Sequence, residues 1–231
     1  VPELVNNIES LIKNIPIMFK SIENYLLDML NNYPDIQKKI IDVFNDNTNI
    51  NDILVKILNY LFSFYSDNGV FCKDHLDFGT RLLLENINWE DVCGKVLDVG
   101  CGYGPIGIIA AKISSNEVWM CDVNKRALHL AKMNAKENNV IVNIVESDCY
   151  SSIGDIKFQT IITNPPIRAG KEVVKRFLFG SYNYLKDDGE LWFVMRKDHG
   201  VKSMMGILEE CFNVEVIKKD KGFYVVRAFK K

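Results

Sequence analysis

From residue 95 onwards the hydrophobic positions alternate between two periods. Short apolar runs at 96–99, 117–121, 140–145, 158–163 and 190–195 predict buried strands. Between them, apolar residues recur at helical spacing over 104–113, 125–138, 171–185 and 201–211. The runs 214–218 and 223–229 predict a closing hairpin. The alternation predicts an α/β fold with a mainly parallel seven-stranded sheet, helices on both faces and one antiparallel strand.

The beginning of the chain carries a different pattern. Apolar residues recur at helical spacing between positions 3 and 44, and an Asn-rich polar linker follows. We therefore expect a small helical appendage at 1–52 and a main domain at 53–231. Residues 53–65 fit either a continuing helix or two short strands, and their β-branched and aromatic residues favour a hairpin.

Composition narrows the class of protein. The chain has 231 residues, 48% of them hydrophobic and 25% charged, and no apolar run is long enough to span a bilayer. Its six cysteines form no C-x-x-C pair, so we expect no metal site and reduced thiols in a cytoplasmic protein without membrane contact. Residues 165–231 hold 14 Lys or Arg against 9 Asp or Glu. That net +5 is compatible with a polyanionic partner or with an ordinary lysine-rich surface.

A glycine-rich turn follows the first strand of the main domain. Asp98, Gly100, Cys101, Gly102 and Gly104 form a D-x-G-x-G-x-G pattern that opens a helix. A dinucleotide-binding G-x-G-x-x-G pattern would need its third glycine at 105, where the chain has proline. The spacing instead resembles motif I of class I S-adenosylmethionine-dependent methyltransferases, whose Rossmann-like fold and S-adenosyl-L-methionine cofactor we therefore expect.

This resemblance implies roles for the acids after the first three strands. Asp98 would lie near the ammonium group of the cofactor, directly or through water. Asp122, followed by Val123, would accept from the ribose hydroxyls. Asp148 would accept from the adenine amino group, with Cys149 beside the ring. Each acid taken singly also fits a helix N-cap, whereas the set favours a methyl-donor site.

The fourth strand is followed by Asn164-Pro165-Pro166-Ile167. A conjugated amino group is a poor nucleophile, and two acceptors aimed at its hydrogens turn its lone pair towards a methyl donor. The Asn164 amide oxygen and the Pro165 carbonyl can be these acceptors, and proline makes the turn rigid. A strand-ending turn is the alternative. No cysteine lies between Cys149 and Cys211, which disfavours C5-methylation through a thiolate.

Longer strings narrow the resemblance to one family. Gly69-Val70-Phe71, the segment 76–84 (Leu-Asp-Phe-Gly-Thr-Arg-Leu-Leu-Leu) and the segment 164–171 (Asn-Pro-Pro-Ile-Arg-Ala-Gly-Lys) resemble the small-domain methyltransferases that modify guanine N2 in small-subunit ribosomal RNA. Many of those enzymes have an aromatic residue where this chain has Ile167. The resemblance covers roughly residues 60–231.

Expectations about partners rest on this resemblance. It implies a cofactor contact for Thr80 and for Asn164, and a ribosomal RNA or small-subunit partner. The candidate substrate-binding residues are Phe71, Arg168, Lys171 and Arg196. Further basic residues that can contact phosphates are Lys175, Arg176, Lys197 and Lys202. A protein glutamine amide, DNA adenine, or a catalytically silent cofactor-binding module remain alternatives, and the oligomeric state stays open.

Overall fold

The computed structural model describes residues 51–58, 60–67 and 75–231. It opens with an antiparallel hairpin of β1 (Asn51–Ile57) and β2 (Tyr60–Ser66). The predicted hairpin is confirmed, with Phe62 and Phe64 buried and the alternate residues more exposed. The predicted appendage lies outside the described residues, except for its last two residues, which begin β1.

Seven strands form the main sheet, in the order β5-β4-β3-β6-β7-β9-β8. All run parallel except β9, which is antiparallel to both neighbours, so the predicted sheet is confirmed. The strands are β3 (Val96–Val99), β4 (Val118–Asp122), β5 (Asn143–Glu146), β6 (Phe158–Thr163), β7 (Leu185–Arg196), β8 (Phe212–Asp220) and β9 (Phe223–Lys230).

Helices cover both faces of the sheet because its strands are apolar on both sides. They are α1 (Phe78–Asn86), α2 (Pro105–Ser114), α3 (Lys125–Glu137), α4 (Lys171–Tyr184) and α5 (Val201–Leu208). The first three helices and the β1–β2 hairpin share a core with Val96 and Met120. The last two helices pack with Leu97 and Phe193 on the opposite face.

Asn134 in α3 and Asn138, the residue that caps the end of this helix, form hydrogen bonds with the outer edge of β2. The Asn134 side chain accepts from Tyr65 N and donates to Tyr65 O, at 2.6 and 3.0 Å. Asn138 makes the same pair with Ser63, at 3.1 and 2.7 Å. Four helical residues rise about 6 Å, close to the spacing of alternate strand residues. A helix therefore satisfies backbone groups that would otherwise need a further strand.

Several boundaries differ from those predicted. β5 begins at Asn143 because Val140 N donates to Ala135 O and completes the end of α3. β7 begins at Leu185, the last residue of the predicted helical segment 171–185. Leu185 pairs with Phe158, and the pairing shifts register before Thr160 pairs with Glu190. The sequence reading had not assigned α1 as a helix.

Candidate active site

The glycine-rich turn lies at the carboxyl edge of β3, where ligands bind in open α/β sheets. Gly100 and Gly102 have φ of 73° and 57°, in the left-handed region that favours glycine. A Cβ on Gly100 would lie 2.6 Å from Phe177 Cε1, so close packing excludes a side chain there. A Cβ on Gly102 would meet no atom within 4 Å. The turn therefore offers bare backbone to open space at Gly102.

Asp98 lies beneath this turn. Its carboxyl group is fully buried, and Oδ2 accepts from Gly107 N in the first turn of α2 at 2.9 Å. Oδ1 is buried without a hydrogen-bond partner among the described residues. Burial raises the pKa of Asp98 to about 8, against the smaller opposing effect of the Gly107 hydrogen bond. An unpartnered buried carboxyl oxygen suits a cationic group or a bridging water.

Asp122 connects the end of β4 to the glycine-rich turn. Its Oδ2 accepts from Gly102 N at 2.9 Å and its Oδ1 from Asn124 N at 2.8 Å. Each oxygen keeps a second lone pair, so the carboxylate can still accept from two hydroxyl groups. The neighbouring Val123 is 67% exposed and offers an apolar surface beside it. Cys101 is buried under the same turn, and its burial raises the thiol pKa well above the usual value.

Asp148 forms an ion pair with a basic residue of α4. Its two carboxylate oxygens accept from Arg176 Nη1 and Nη2 at 2.8 and 3.1 Å, in an exposed bidentate pair. This hydrogen bonding lowers the pKa of Asp148. Cys149, with φ of 52°, is buried beside it, and burial raises its thiol pKa to about 11. The Arg176 guanidinium, predicted to contact phosphates, is thus paired with Asp148.

Asn164 has a fixed side-chain orientation. Its Nδ2 donates to Asp77 Oδ2 at 3.0 Å and to Thr80 Oγ1 at 2.9 Å. Both amide hydrogens are therefore used, and Oδ1 is left as an acceptor with no partner among the residues that the structure describes. Asp77 is also the N-cap of α1, accepting from Thr80 N at 2.9 Å. The start of α1 therefore orients the amide that follows β6.

The sequence reading missed the part played by Asp77. An Asp three residues before a Thr is a helix N-cap signal, and Asp77 does form that cap. Its second bond, to a residue 87 positions along the chain, depends on α1 lying beside β6. The available signal was the recurrence of Asp77 and Thr80 in a string that resembles one family. Thr80, expected at the cofactor, contacts Asn164 and Asp77.

The residues around Asn164 differ in exposure. Pro165 is buried and Pro166 exposed, while Ile167 is half-buried against the core on the α4 face. Ala169 N donates to Pro166 O and Gly170 N to Ile167 O, forming one turn of 3-10 helix at Ile167–Ala169. This turn holds the segment rigid without using the Pro165 carbonyl, which accepts no bond from the described residues. Asn164 Oδ1 and Pro165 O are hereafter called the acceptor pair.

The expected substrate-binding residues lie on two sides of the acceptor pair. Arg168 and Lys171 are exposed at the start of α4. Arg196 ends β7, where its Nε donates to Asp198 Oδ1 at 3.0 Å. Phe71 lies outside the described residues. Within 51–58, 60–67 and 75–231, no group of acidic, His or Cys side chains is arranged to hold a metal, and no helix is long and apolar enough to cross a membrane.

The fold and the site resemble known methyltransferases. The chain is 45% identical over 179 residues to Bacillus subtilis (strain 168) protein YbxB, described as uncharacterized, covering 76% of this chain and 89% of that one. It is 38% identical over 135 residues to ribosomal RNA small subunit methyltransferase C of Haemophilus influenzae (strain PittGG), covering 56% of this chain and 40% of that one. The corresponding enzyme of Psychromonas ingrahamii is 32% identical over 71% of this chain and 47% of its own. The chain thus spans less than half the length of these two ribosomal RNA methyltransferases.

Solved structures share the fold. A Thermus thermophilus 16S rRNA N2 methyltransferase in complex with AdoMet and guanosine superposes with a TM-score of 0.73 at 23% identity, covering 80% of this chain and 52% of that one. A ribosomal protein L11 methylase from Lactobacillus delbrueckii has a TM-score of 0.61 at 21% identity, covering 72% and 84%. Because both RNA and protein methylases share it, the fold alone does not identify the acceptor. Residues 61–227 match the methyltransferase small domain family. This chain therefore belongs to the methyltransferase small domain family and has the Rossmann-like fold of class I methyltransferases.

Proposed function

We propose that this chain transfers a methyl group from S-adenosylmethionine to the exocyclic N2 amine of a guanine in small-subunit ribosomal RNA. The observation that carries the proposal is the orientation of Asn164. Asp77 and Thr80 hold its Nδ2, so the amide has one fixed orientation and Oδ1 stays available as an acceptor. An acceptor pair made of a fixed amide oxygen and a rigid proline carbonyl suits an NH₂ group with two hydrogens to donate.

The residues of the glycine-rich turn fit the cofactor. Gly102 leaves open space where a side chain would stand, and Asp98 Oδ1 is a buried acceptor without a partner among the described residues. Asp122 retains lone pairs for ribose hydroxyls, and the exposed Val123 offers an apolar surface for a purine ring. When bound, S-adenosylmethionine supplies an electrophilic methyl group carried on a sulfonium.

The acceptor pair would act by orientation. Hydrogen bonds from the target amine to Asn164 Oδ1 and Pro165 O hold both of its hydrogens on one side, which turns the nitrogen lone pair to the other. Because Asp77 and Thr80 fix the amide beforehand, little reorganisation accompanies the reaction. The methylated nitrogen is strongly acidic, so it loses its proton to water without a dedicated base.

Ribosomal RNA as the substrate is supported by the relatives and by the basic C-terminal third. Two relatives bear the name ribosomal RNA small subunit methyltransferase C, and the 16S rRNA N2 methyltransferase shares the fold. The segment with a net charge of +5, residues 165–231, begins at the acceptor pair. Such a substrate would place the protein in the cytoplasm, in agreement with the absence of cysteine pairing patterns.

Transfer of tritium from labelled S-adenosylmethionine tests this proposal. Small-subunit ribosomal RNA should become labelled at guanine N2, and Asn164→Ala should lower kcat roughly a hundredfold or more while cofactor affinity is kept. Asn143→Ala, at an exposed position on the edge strand β5, is the matched control and should leave kcat unchanged. Labelling confined to protein or DNA would contradict the RNA substrate, and an unchanged Asn164→Ala rate would contradict the role of the acceptor pair.

A further inference from the structure

The turn between β8 and β9 lies at the same edge of the sheet as Asn164. Phe223, the first residue of β9, pairs with Arg196, the last residue of β7. Lys197 N donates to Gly222 O at 2.8 Å and fixes the turn to the end of β7. In the order β6-β7-β9-β8, neighbouring strands lie about 4.8 Å apart, so the hairpin stands roughly 10–15 Å from the end of β6. That is within reach of a nucleotide next to a base held at Asn164.

Two aromatic rings connect this hairpin to the start of α1. The centroids of Phe78 and Phe223 are 5.4 Å apart, with the rings tilted by 54°. Gly79 permits this approach, since a Cβ there would lie 2.9 Å from Phe223 Cε1. Both rings are half-buried, so each keeps ring surface in contact with solvent. Phe78 directly follows Asp77, which holds Asn164, so the rings adjoin the support of the acceptor pair.

Cationic groups lie over these rings. Lys221 Nζ is 4.7 Å from the centroid of Phe78, and Arg196 Cζ is 5.3 Å from that of Phe223. Lys219 Nζ lies 5.0 Å from the centroid of Tyr224. Residues 196–198 and 218–221 together hold five Lys or Arg against two carboxylates, one of which, Asp198, pairs with Arg196. The surface is therefore net positive with aromatic rings interleaved.

Two of the basic residues of α4 are neutralised by carboxylates. Arg176 is paired with Asp148, and Lys175 Nζ lies 2.9 Å from Glu172 Oε1. At the hairpin, neither Lys219 nor Lys221 forms an ion pair within the described residues, and both side chains are exposed. Within residues 75–231, unpaired positive charge near the acceptor pair therefore lies at the β8–β9 turn as well as at Arg168 and Lys171, whereas the next two basic residues of α4 are neutralised.

We propose that the hairpin rim, defined as Phe78, Arg196, Lys219, Lys221 and Phe223, binds the single-stranded RNA that flanks the target guanine. This inference rests on the proposed function. Single strands are held by aromatic faces on which bases stack and by cations that track the phosphates, which is the combination found here. When the flanking nucleotides are unstacked, little free energy is needed to move the target base to the acceptor pair.

Affinity for a fluorescein-labelled single-stranded oligoribonucleotide, measured over a range of salt concentrations, tests the rim. The variant Lys219→Glu/Lys221→Glu should raise Kd at least tenfold. Loss of two phosphate contacts should also lower the salt slope by about 1.4. The matched control Lys136→Glu/Lys186→Glu reverses two exposed charges at the opposite edge of the sheet and should change Kd less than about twofold. A duplex of the same sequence should bind all variants more weakly than the single strand.

Phe78→Leu separates stacking from charge. It should raise Kd about fivefold or more while leaving the salt slope unchanged, because it removes a ring and no cation. S-adenosylhomocysteine affinity and melting temperature should match the wild type in every variant, which excludes misfolding. If wild-type protein methylates ribosomal RNA but the rim variants bind like the control, the rim inference is wrong and the proposed function stands. If wild-type protein neither binds nor methylates RNA, the proposed function itself is wrong.

Discussion

At the scale of single residues, the orientation of the Asn164 amide depends on two neighbouring side chains. A free carboxamide can rotate and present either its oxygen or its nitrogen, and only the oxygen accepts. Asp77 and Thr80 remove this ambiguity by accepting both hydrogens of Nδ2. We therefore regard Thr80 and Asp77 as positioning residues for the reaction.

Thr80→Val should lower kcat about tenfold to a hundredfold, because the Asn164 amide loses one of the two bonds that orient it. The KM values for cofactor and RNA should change less than about twofold, as no ligand contact is removed. Thr80→Ser restores the hydroxyl and should recover most of the rate. Steady-state kinetics distinguish the two roles that Thr80 can have, since a cofactor-contact role would instead raise the cofactor KM.

The sequence predicts the position of Asn164 but not the side chains that orient it. The pattern of Asp98, the glycines and Asn164 could be found by spacing along the chain, because each stands in the last residues of a strand or just after it. The bonds from Asp77 to Asn164 and from Arg176 to Asp148 join residues 87 and 28 positions apart. Such partners are set by how helices lie on the sheet, which periodicity does not specify.

At the scale of elements, the β1–β2 hairpin is joined to the main domain by polar groups on a helix. Asn134 and Asn138 stand on the side of α3 that meets β2, where an amphipathic pattern would place apolar residues. Sequence periodicity predicted the helix, and β-branched and aromatic residues favoured the hairpin. Neither signal predicted their contact, because a buried asparagine resembles a surface residue in such a pattern.

Asn134→Ala should lower the unfolding free energy by about 2–4 kcal/mol, because it removes from a fully buried position the hydrogen bonds to Tyr65 N, Tyr65 O and Tyr103 O. Urea unfolding followed by circular dichroism measures this loss. Lys132→Ala, on the exposed side of the same helix, is the control and should stay within about 0.5 kcal/mol of the wild type. Equal effects of the two substitutions would show that the hydrogen bonds of the Asn134 side chain contribute little to the free energy of unfolding.

At the scale of the whole molecule, the functional groups converge because parallel strands end at one edge. The glycine-rich turn follows β3, Asp122 ends β4, Asn164 follows β6 and Arg196 ends β7. The strand order, which the alternation of periods does not specify, places β3 between β4 and β6 and so brings the glycine-rich turn close to Asn164. The mainly parallel sheet with one antiparallel strand was predictable, whereas the strand order and the β7 register shift opposite Phe158 were not.

The buried carboxyl of Asp98 should make global stability depend on pH. Its folded pKa, about 8, exceeds that of an unfolded carboxyl, so the folded state favours the protonated form. The contribution of Asp98 to the free energy of unfolding is therefore complete below about pH 4. It decreases as the pH rises towards 8, by up to about 1.4 kcal/mol per pH unit. Asp98→Asn keeps the shape and cannot ionise. Urea unfolding of both proteins from pH 4 to 9 should therefore show the wild type losing stability relative to the variant across that window, and parallel profiles would contradict the prediction.

The amide of Asn134 has one more partner, because its Nδ2 also donates to Tyr103 O at 2.8 Å within the glycine-rich turn. The Asn134 side chain therefore forms hydrogen bonds with both the hairpin strand and the backbone of the glycine-rich turn. Fluctuations that release one must release the other, so the two regions open as one cooperative unit. Loosening of the β1–β2 hairpin should therefore also loosen the glycine-rich turn, to which the proposed function assigns the cofactor.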